Sequence, residues 1–393
     1  MVTDARNDTL HPIKGEQMAE TNGFATEAFQ GVRDLLELHL NDGLDVGASV
    51  TVHHRGEVVV DIWGGFADEA RTRPWESDTI VNVWSTTKTM TFLVSLLLME
   101  HGELDFDAPV ATYWPEFAQG GKADIRFRHL LAHTAGLSGW SEPLAPEDLA
   151  DWERCTSLLA AQEPWWSDRT QSGYHAVTQG YLIGEVVARI TGQSIGQFFK
   201  AQFADPLGAD FHIGLPAADD DRVSLVIAKA NPSFGALDPD SIMVRTFSSP
   251  PLDGTMPHHR WWRAAEIPAA NGHGNARSVA LLQSIITNRG ESGGKQFLKP
   301  ETIDRVFVTE ADGDDLVLAT PMRFGAGYGL GSTTMPLGPR ACFWGGFGGS
   351  VIIMDQDLEL TVSYMMNKME TELIGDTRGM MFALTAAGAA ASL

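Results

Sequence analysis

The sequence predicts an α+β protein: an antiparallel sheet flanked by helices, drawn from both ends of the chain, with a mainly helical lobe inserted in the middle. Three observations carry this. Strand-like segments occur near the start, at Ala48–His54 and Glu57–Trp63, and return after residue 327. Helical patterning dominates from Ser85 to about residue 205. The C-terminal strands follow one another across short turns, which antiparallel neighbours allow and parallel ones do not.

Taken in order, residues 1–22 form a polar arm and Thr26–His39 an amphipathic helix. The two early strands flank Arg55-Gly56, a hairpin signal, and Gly64-Gly65 ends the second. Ser85–Gly102 is expected as one helix, followed by a loop-rich stretch carrying Pro109, Pro115, Pro143, Pro146 and Pro164. A further helix spans Val177–Ile190, with Gly192 as its stop. Residues 231–257, rich in Pro, Ser and Asp, suit a long loop or lid, and Ala276–Asn288 a helix. Strands are expected at Gly327–Ser332, Arg340–Trp344, Ser350–Met354 and Leu358–Met366, then a last helix near Glu372–Ala386. The chain thus divides into a sheet domain, 23–80 with 270–393, and a mainly helical domain, 81–269, with its lid at 231–262.

Composition narrows the function classes. The chain has 393 residues, 44% hydrophobic and 20% charged, with ample material for a core. A formal net charge of −23 would repel nucleic acid and anionic membrane alike. Cys155 and Cys342 are the only cysteines, so no disulfide framework or cysteine metal site is indicated. Met1–Asn22 lacks an apolar core of signal-peptide type, and the longest apolar run, 89–99, is too short to span a bilayer. The expectation is a cytoplasmic protein without cofactor or metal, with monomer and homodimer both open.

The first chemical signal is Ser85-Thr86-Thr87-Lys88, just before that uncharged run. On a helix, a spacing of three places hydroxyl and amine on one face, one turn apart. A desolvated lysine can lose its charge near neutral pH and serve as base for a serine nucleophile. The pair by itself equally suits an N-cap serine and a snorkelling lysine. Ser292-Gly293-Gly294-Lys295 repeats the spacing in a glycine turn that cannot hold an amine desolvated.

Two further segments add weight. Tyr174, in Ser172-Gly173-Tyr174-His175-Ala176, is either a core aromatic or a proton carrier. Beside a charged Lys88 its pKa, roughly 10 in model peptides, would fall, so that a phenolate could deprotonate Ser85. Phe343-Trp344-Gly345-Gly346-Phe347-Gly348-Gly349-Ser350 is either a turn between edge strands or a strand edge along which an ester can lie. In the second reading the amides of Ser85 and Phe347 form an oxyanion hole, and losing one such donor costs roughly 2.7–4 kcal/mol.

These segments, with His129-Leu130-Leu131-Ala132-His133-Thr134-Ala135-Gly136-Leu137, resemble in kind and order the serine β-lactamase-like superfamily, and within it the family VIII carboxylesterases. The resemblance covers roughly residues 25–390. It implies a β-lactamase-like fold with the site between sheet and helical domains. It also implies Ser85 as acylated nucleophile, with Lys88 and Tyr174 sharing general-base and general-acid work. Two departures bear on substrate. Penicillin-recognising relatives carry Tyr-x-Asn, where this chain has Ala176. They also carry Lys-Thr-Gly or His-Thr-Gly, where Trp344-Gly345-Gly346 stands. An indole cannot pair a carboxylate but can pack an apolar chain. The expected substrate is therefore a small, fairly apolar carboxylic ester, contacted by Trp344, Gly345, Gly346 and His175. The alternatives are a β-lactamase or acyltransferase on the same scaffold, or a non-catalytic penicillin-binding-fold sensor.

Rival motifs have structural explanations. Gly192-Gln193-Ser194-Ile195-Gly196 matches G-x-S-x-G, yet a helix rather than a strand precedes it, so Gly192 is a helix stop and Ser194 an N-cap. His129 and His133 lack the acid of a metal motif and suit capping or loop orientation. His258, His259 and His273 have no distinguishing context, and Gly325–Gly329 does not fit the dinucleotide fingerprint. Trp165, Trp166, Trp261 and Trp262 suit core, lid or pocket wall.

Overall fold

The computed structural model describes residues 20–229 and 238–393; most of the expected arm and residues 231–237 of the expected lid lie outside them. Arg55 and Gly56 both have positive φ, 52° and 79°. That geometry closes a two-residue hairpin whose twist matches its strands. The hairpin pairs Gly47–His54 with Glu57–Gly65. Strand Leu360–Met366 then adds to its other edge, from Ala48 opposite Met366 to His54 opposite Leu360. This pairing joins the two ends of the chain, as the sequence predicts.

Among the described residues, nine strands form the main sheet, every neighbouring pair antiparallel. The order runs Thr21–Ala25, Glu57–Gly65, Gly47–His54, Leu360–Met366, Val351–Asp355, Ala341–Gly345, Gly329–Leu330, Pro321–Phe324, Ala311–Asp314. Alternation along strand 360–366 assigns its two faces. Tyr364 meets Phe382 of helix Thr377–Ala390 at 4.9 Å between ring centroids. Thr361 points the other way and bonds Thr287 of helix Ala276–Thr287 at 2.6 Å. Helix Gln30–Asn41 packs with the C-terminal helix on the first face.

The centre of the molecule is helix Lys88–Glu100, buried continuously from Lys88 to Leu98. A helix apolar on all sides must be enclosed. Helices Thr178–Thr191 and Ile195–Phe199 enclose one side. Phe92 crosses to the sheet, edge-on to Tyr328 and Trp344.

Several elements escaped the sequence reading. Strand Thr21–Ala25 begins inside the expected arm. A small sheet links Phe211–His212, His273–Gly274, Ile80–Asn82 and Val223–Ser224, segments too short for any periodicity. Helix Trp152–Ala161 lies in the proline-rich stretch, capped by Asp151 accepting from Arg154 N at 3.0 Å. The lid region contains helices Ile242–Ser248 and Arg260–Ala264. The expected strand 327–332 shrinks to two residues. Among the described residues, no helix is long and apolar enough to cross a membrane.

A buried ionic cluster ties the C-terminal helix to the sheet. Arg378 Nη1 donates to Asp45 Oδ1 at 2.8 Å, and Arg378 Nη2 to Asp376 Oδ2 at 2.6 Å. Asp45 also accepts from the Tyr364 hydroxyl at 2.7 Å. Removing one partner strands a buried charge. Asp45→Ala is therefore expected to cost roughly 3–5 kcal/mol in chemical denaturation; a loss below about 1 kcal/mol would contradict this account of the cluster.

Candidate active site

Ser85 sits in a turn of 3₁₀ helix, Trp84–Thr87, that runs straight into the central helix. Trp84, the residue before it, holds φ at +48°. A non-glycine residue there stores of order 1–3 kcal/mol, and only firm surroundings maintain it. Trp84 is wedged between Trp262 and Phe347, each at 5.4 Å between centroids. Val83 N donates to Gly272 O at 2.9 Å, and Gly272 N donates to Thr87 Oγ1 at 2.8 Å, so the turn is pinned on both sides.

Tyr174 arrives on the loop before helix Thr178–Thr191. Two histidines hold that loop through backbone bonds. His175 N donates to His133 Nδ1 at 3.0 Å, and Gly173 N to His133 O at 3.0 Å. His175 donates through Nδ1 to Gly173 O at 2.7 Å and accepts Leu137 N at Nε2, 3.0 Å. Burial pushes the His175 pKa down to about 3, which keeps the ring neutral and able to accept. Asp315, a residue without sequence signal, accepts Tyr174 N, Val317 N and Leu318 N on one oxygen.

The three candidates converge. Tyr174 Oη lies 2.6 Å from Ser85 Oγ, and Lys88 Nζ lies 3.1 Å from Ser85 Oγ and 3.0 Å from Tyr174 Oη. Lys88 Nζ also donates to Ala176 O at 2.7 Å and Ala269 O at 2.9 Å. Among the described residues no carboxylate pairs with this amine. Lys88 is 0% exposed, and burial drives its pKa well below the usual lysine range. Its place in the first turn of a helix, at the positive end of the dipole, disfavours the ammonium further. A neutral amine has two N–H bonds and one lone pair. The two carbonyls take the N–H groups, leaving the lone pair for a hydroxyl proton.

This geometry corrects the expectation for Tyr174. Burial raises its pKa, so the phenol keeps its proton and no phenolate is available as base. The expected lowering required a charged Lys88, and desolvation removes that charge. The neutral amine is the group with a lone pair toward Ser85, and Tyr174 donates to Ser85 Oγ.

The triad opens into a cleft lined by Ser85, Tyr174 and apolar side chains. Phe247, Leu252, Phe347 and Leu373 form its half-buried apolar wall, and Ala176 lines it too. Among the described residues, no charged side chain lines it. Trp344, Gly345, Gly346 and His175 are absent from the wall, against expectation. Trp344 lies buried beneath the Tyr174 loop, stacked on His133 at 5.6 Å, because strand alternation turns it inward. A side chain at Gly345 would strike Gly375, so that position faces backbone. His175 is spent holding its loop. Phe347 does reach the cleft. Among the described residues, the N–H groups of Ser85 and Phe347 donate to no carbonyl, whereas those of Gly346 and Gly348 are taken by Ser350 and Glu372.

The other motifs are structural. Ser292 and Lys295 flank a hairpin whose Gly293 and Gly294 hold φ at 56° and 71°. Gly192 ends its helix at φ 71°, and Ser194 caps the next while donating to Glu266 at 2.6 Å. His129 accepts Arg126 N at 3.1 Å, capping helix Phe127–Leu131.

The neutral amine has a thermodynamic signature. The folded pKa of Lys88 lies below the unfolded value, so the unfolded chain binds the extra proton between the two. Stability should therefore rise with pH across that window by up to about 1.4 kcal/mol per unit, relative to Lys88→Met. Denaturation of both proteins over a pH series reads this; a pH-independent difference contradicts the neutral amine.

Residues 36–384 match the family described as Beta-lactamase. The chain is 32% identical over 353 residues to the Mycobacterium tuberculosis protein described as "Esterase/beta-lactamase LipL", covering 84% of this chain and 78% of that one. It is 26% identical to "Esterase EstB" of Burkholderia gladioli, over 82% of this chain and 86% of the relative. A crystal structure described as a family VIII carboxylesterase superposes with a TM-score of 0.88 at 39% identity, covering 94% of this chain and all of the other. By that family match and these likenesses, the chain belongs to the β-lactamase family and has the β-lactamase-like fold.

Proposed function

We propose that this protein is a serine carboxylesterase acting on small, neutral, fairly apolar esters. The observation that carries the reading is a cleft with no charged wall among the described residues, opening on a serine in contact with a buried lysine that has no carboxylate partner among them. Such a cleft can desolvate an alkyl or aryl ester and has nothing to pair with a substrate carboxylate. The names and descriptions of the relatives point the same way. A cytoplasmic setting belongs to the same reading, in keeping with two free buried thiols.

In this mechanism Ser85 Oγ attacks the ester carbonyl carbon while its proton passes to Lys88 Nζ. The oxyanion that forms is held by the N–H groups of Ser85 and Phe347. The carbon–oxygen bond to the alcohol then breaks, and the departing alkoxide takes a proton from Tyr174 Oη, which Lys88 replenishes. Water enters, loses a proton along the same route, and breaks the acyl bond to Ser85. The acid leaves, and serine, phenol and neutral amine are restored.

Ser85→Ala should lower kcat by about 10⁴-fold or more on a short p-nitrophenyl ester; a variant of ordinary activity sinks the proposal. Tyr174→Phe should reduce kcat by about 10²–10⁴-fold on alkyl esters, and by less on p-nitrophenyl esters, because p-nitrophenolate leaves without a proton. Equal losses on both would remove Tyr174 from leaving-group protonation. The acidic limb of kcat/KM should track deprotonation of Lys88, with activity rising as pH rises through its depressed pKa. On an ester series run beside nitrocefin, the esters should win. Phe247→Ala should move the optimum toward longer acyl chains, since Phe247 walls the cleft; an unmoved optimum assigns chain-length control elsewhere.

A further inference from the structure

The glycine-rich turn and the nucleophile turn lie far apart in the chain, yet each carries a cleft-lining residue, Phe347 and Ser85, whose N–H donates to no carbonyl among the described residues. Beside the packing of Trp84 on Phe347, one buried hydroxyl hydrogen-bonds across the two turns. Ser350 Oγ donates to Val83 O at 2.8 Å, just ahead of the nucleophile. It also lies 3.0 Å from Thr86 Oγ1, just behind it. Because the Ser350 proton goes to Val83, Thr86 is the donor in the second bond. The same residue anchors the other turn through its backbone, where Ser350 O accepts Gly346 N at 2.8 Å. Gly349 N closes that turn onto Gly346 O at 3.2 Å, with Phe347 inside it.

The fit of Gly346 has the same origin. A Cβ at this position would collide with both Ser350 Oγ and Val83 O. The missing side chain makes room for the bridge. Ser350 and Thr86 are both buried, so the bridge is shielded from water that would compete for it.

We infer that Ser350 is a positioning residue, one that clamps the Ser85 and Phe347 amides at the separation a tetrahedral oxyanion needs. The inference rests on the oxyanion role given to those amides above. Oxyanion donors act only when fixed where the charge develops, so loosening the clamp should weaken transition-state binding while leaving substrate binding intact.

The test compares Ser350→Ala with the parent protein on a p-nitrophenyl ester, and measures inhibition by phenylboronic acid, whose adduct on Ser85 mimics the tetrahedral state. Removing the clamp should lower kcat by about tenfold to a hundredfold, leave KM within about threefold, and weaken the boronate by a factor matching the loss in kcat. The inference is overturned by a kcat within about twofold of the parent, by an effect confined to KM, or by undiminished boronate affinity. If Ser350→Ala does not fold, Thr86→Val takes its place, with a smaller loss of about threefold to tenfold expected in both quantities and the same reversals. An active Ser85→Ala protein would defeat the esterase reading itself; an inert Ser85→Ala beside an unimpaired Ser350→Ala defeats only the clamp.

Discussion

Everything at the site depends on burying the Lys88 amine without a counter-charge. An ammonium in that position would lose its hydration and gain no carboxylate in return. Two backbone carbonyls, at Ala176 and Ala269, instead take two of its N–H bonds. They come from segments more than ninety residues apart (269 against 176), so the helical lobe must be assembled before the amine has its partners. The uncharged helix behind Lys88, buried through Leu98, keeps water from restoring the charge. The site's basicity is therefore a property of the fold as a whole.

The molecule separates its charges accordingly. Ordinary ion pairs lie at partly exposed positions, such as Arg189 with Glu116 and Arg222 with Asp210. A strongly buried cluster around Arg378 sits behind the sheet and reaches the site through backbone. Arg378 Nη2 donates to Gly348 O at 2.8 Å, beside Phe347. Thus a buried cation stiffens the glycine turn without placing a charge in the cleft. A neutral cleft in a chain of net charge −23 is an arrangement that favours neutral substrates over anionic ones.

The Tyr174 loop shows how histidines can serve catalysis without titrating. His133 and His175 are held neutral by burial, and their ring nitrogens act as fixed acceptors and donors for backbone groups. The conspicuous histidines of the sequence turn out to be scaffold for a tyrosine. Trp344 belongs to the same scaffold, stacked under His133 and 6.0 Å from the Tyr174 ring.

By itself the sequence determined what is local. Period-two segments predict the strands at 47–65 and 341–366, and Gly192 and Ser194 mark a helix stop and start. The spacing of Ser85 and Lys88 puts them within 3.1 Å because a single helical turn spans it. Only the tertiary structure decided what depends on surroundings. The direction of Trp344, the engagement of His175 and the protonation of Tyr174 all turned on burial and on neighbours distant in sequence. Asp315 and the Ala269 carbonyl left no trace in the sequence, since any residue offers a carbonyl and one aspartate among Asp312, Asp314 and Asp315 has no distinguishing pattern. Strands of two or three residues are equally silent, being shorter than the period that would reveal them. Propensity and spacing act along the chain, whereas desolvation and hydrogen-bond partnership act across it, and the chemistry of Ser85 is set by the second kind.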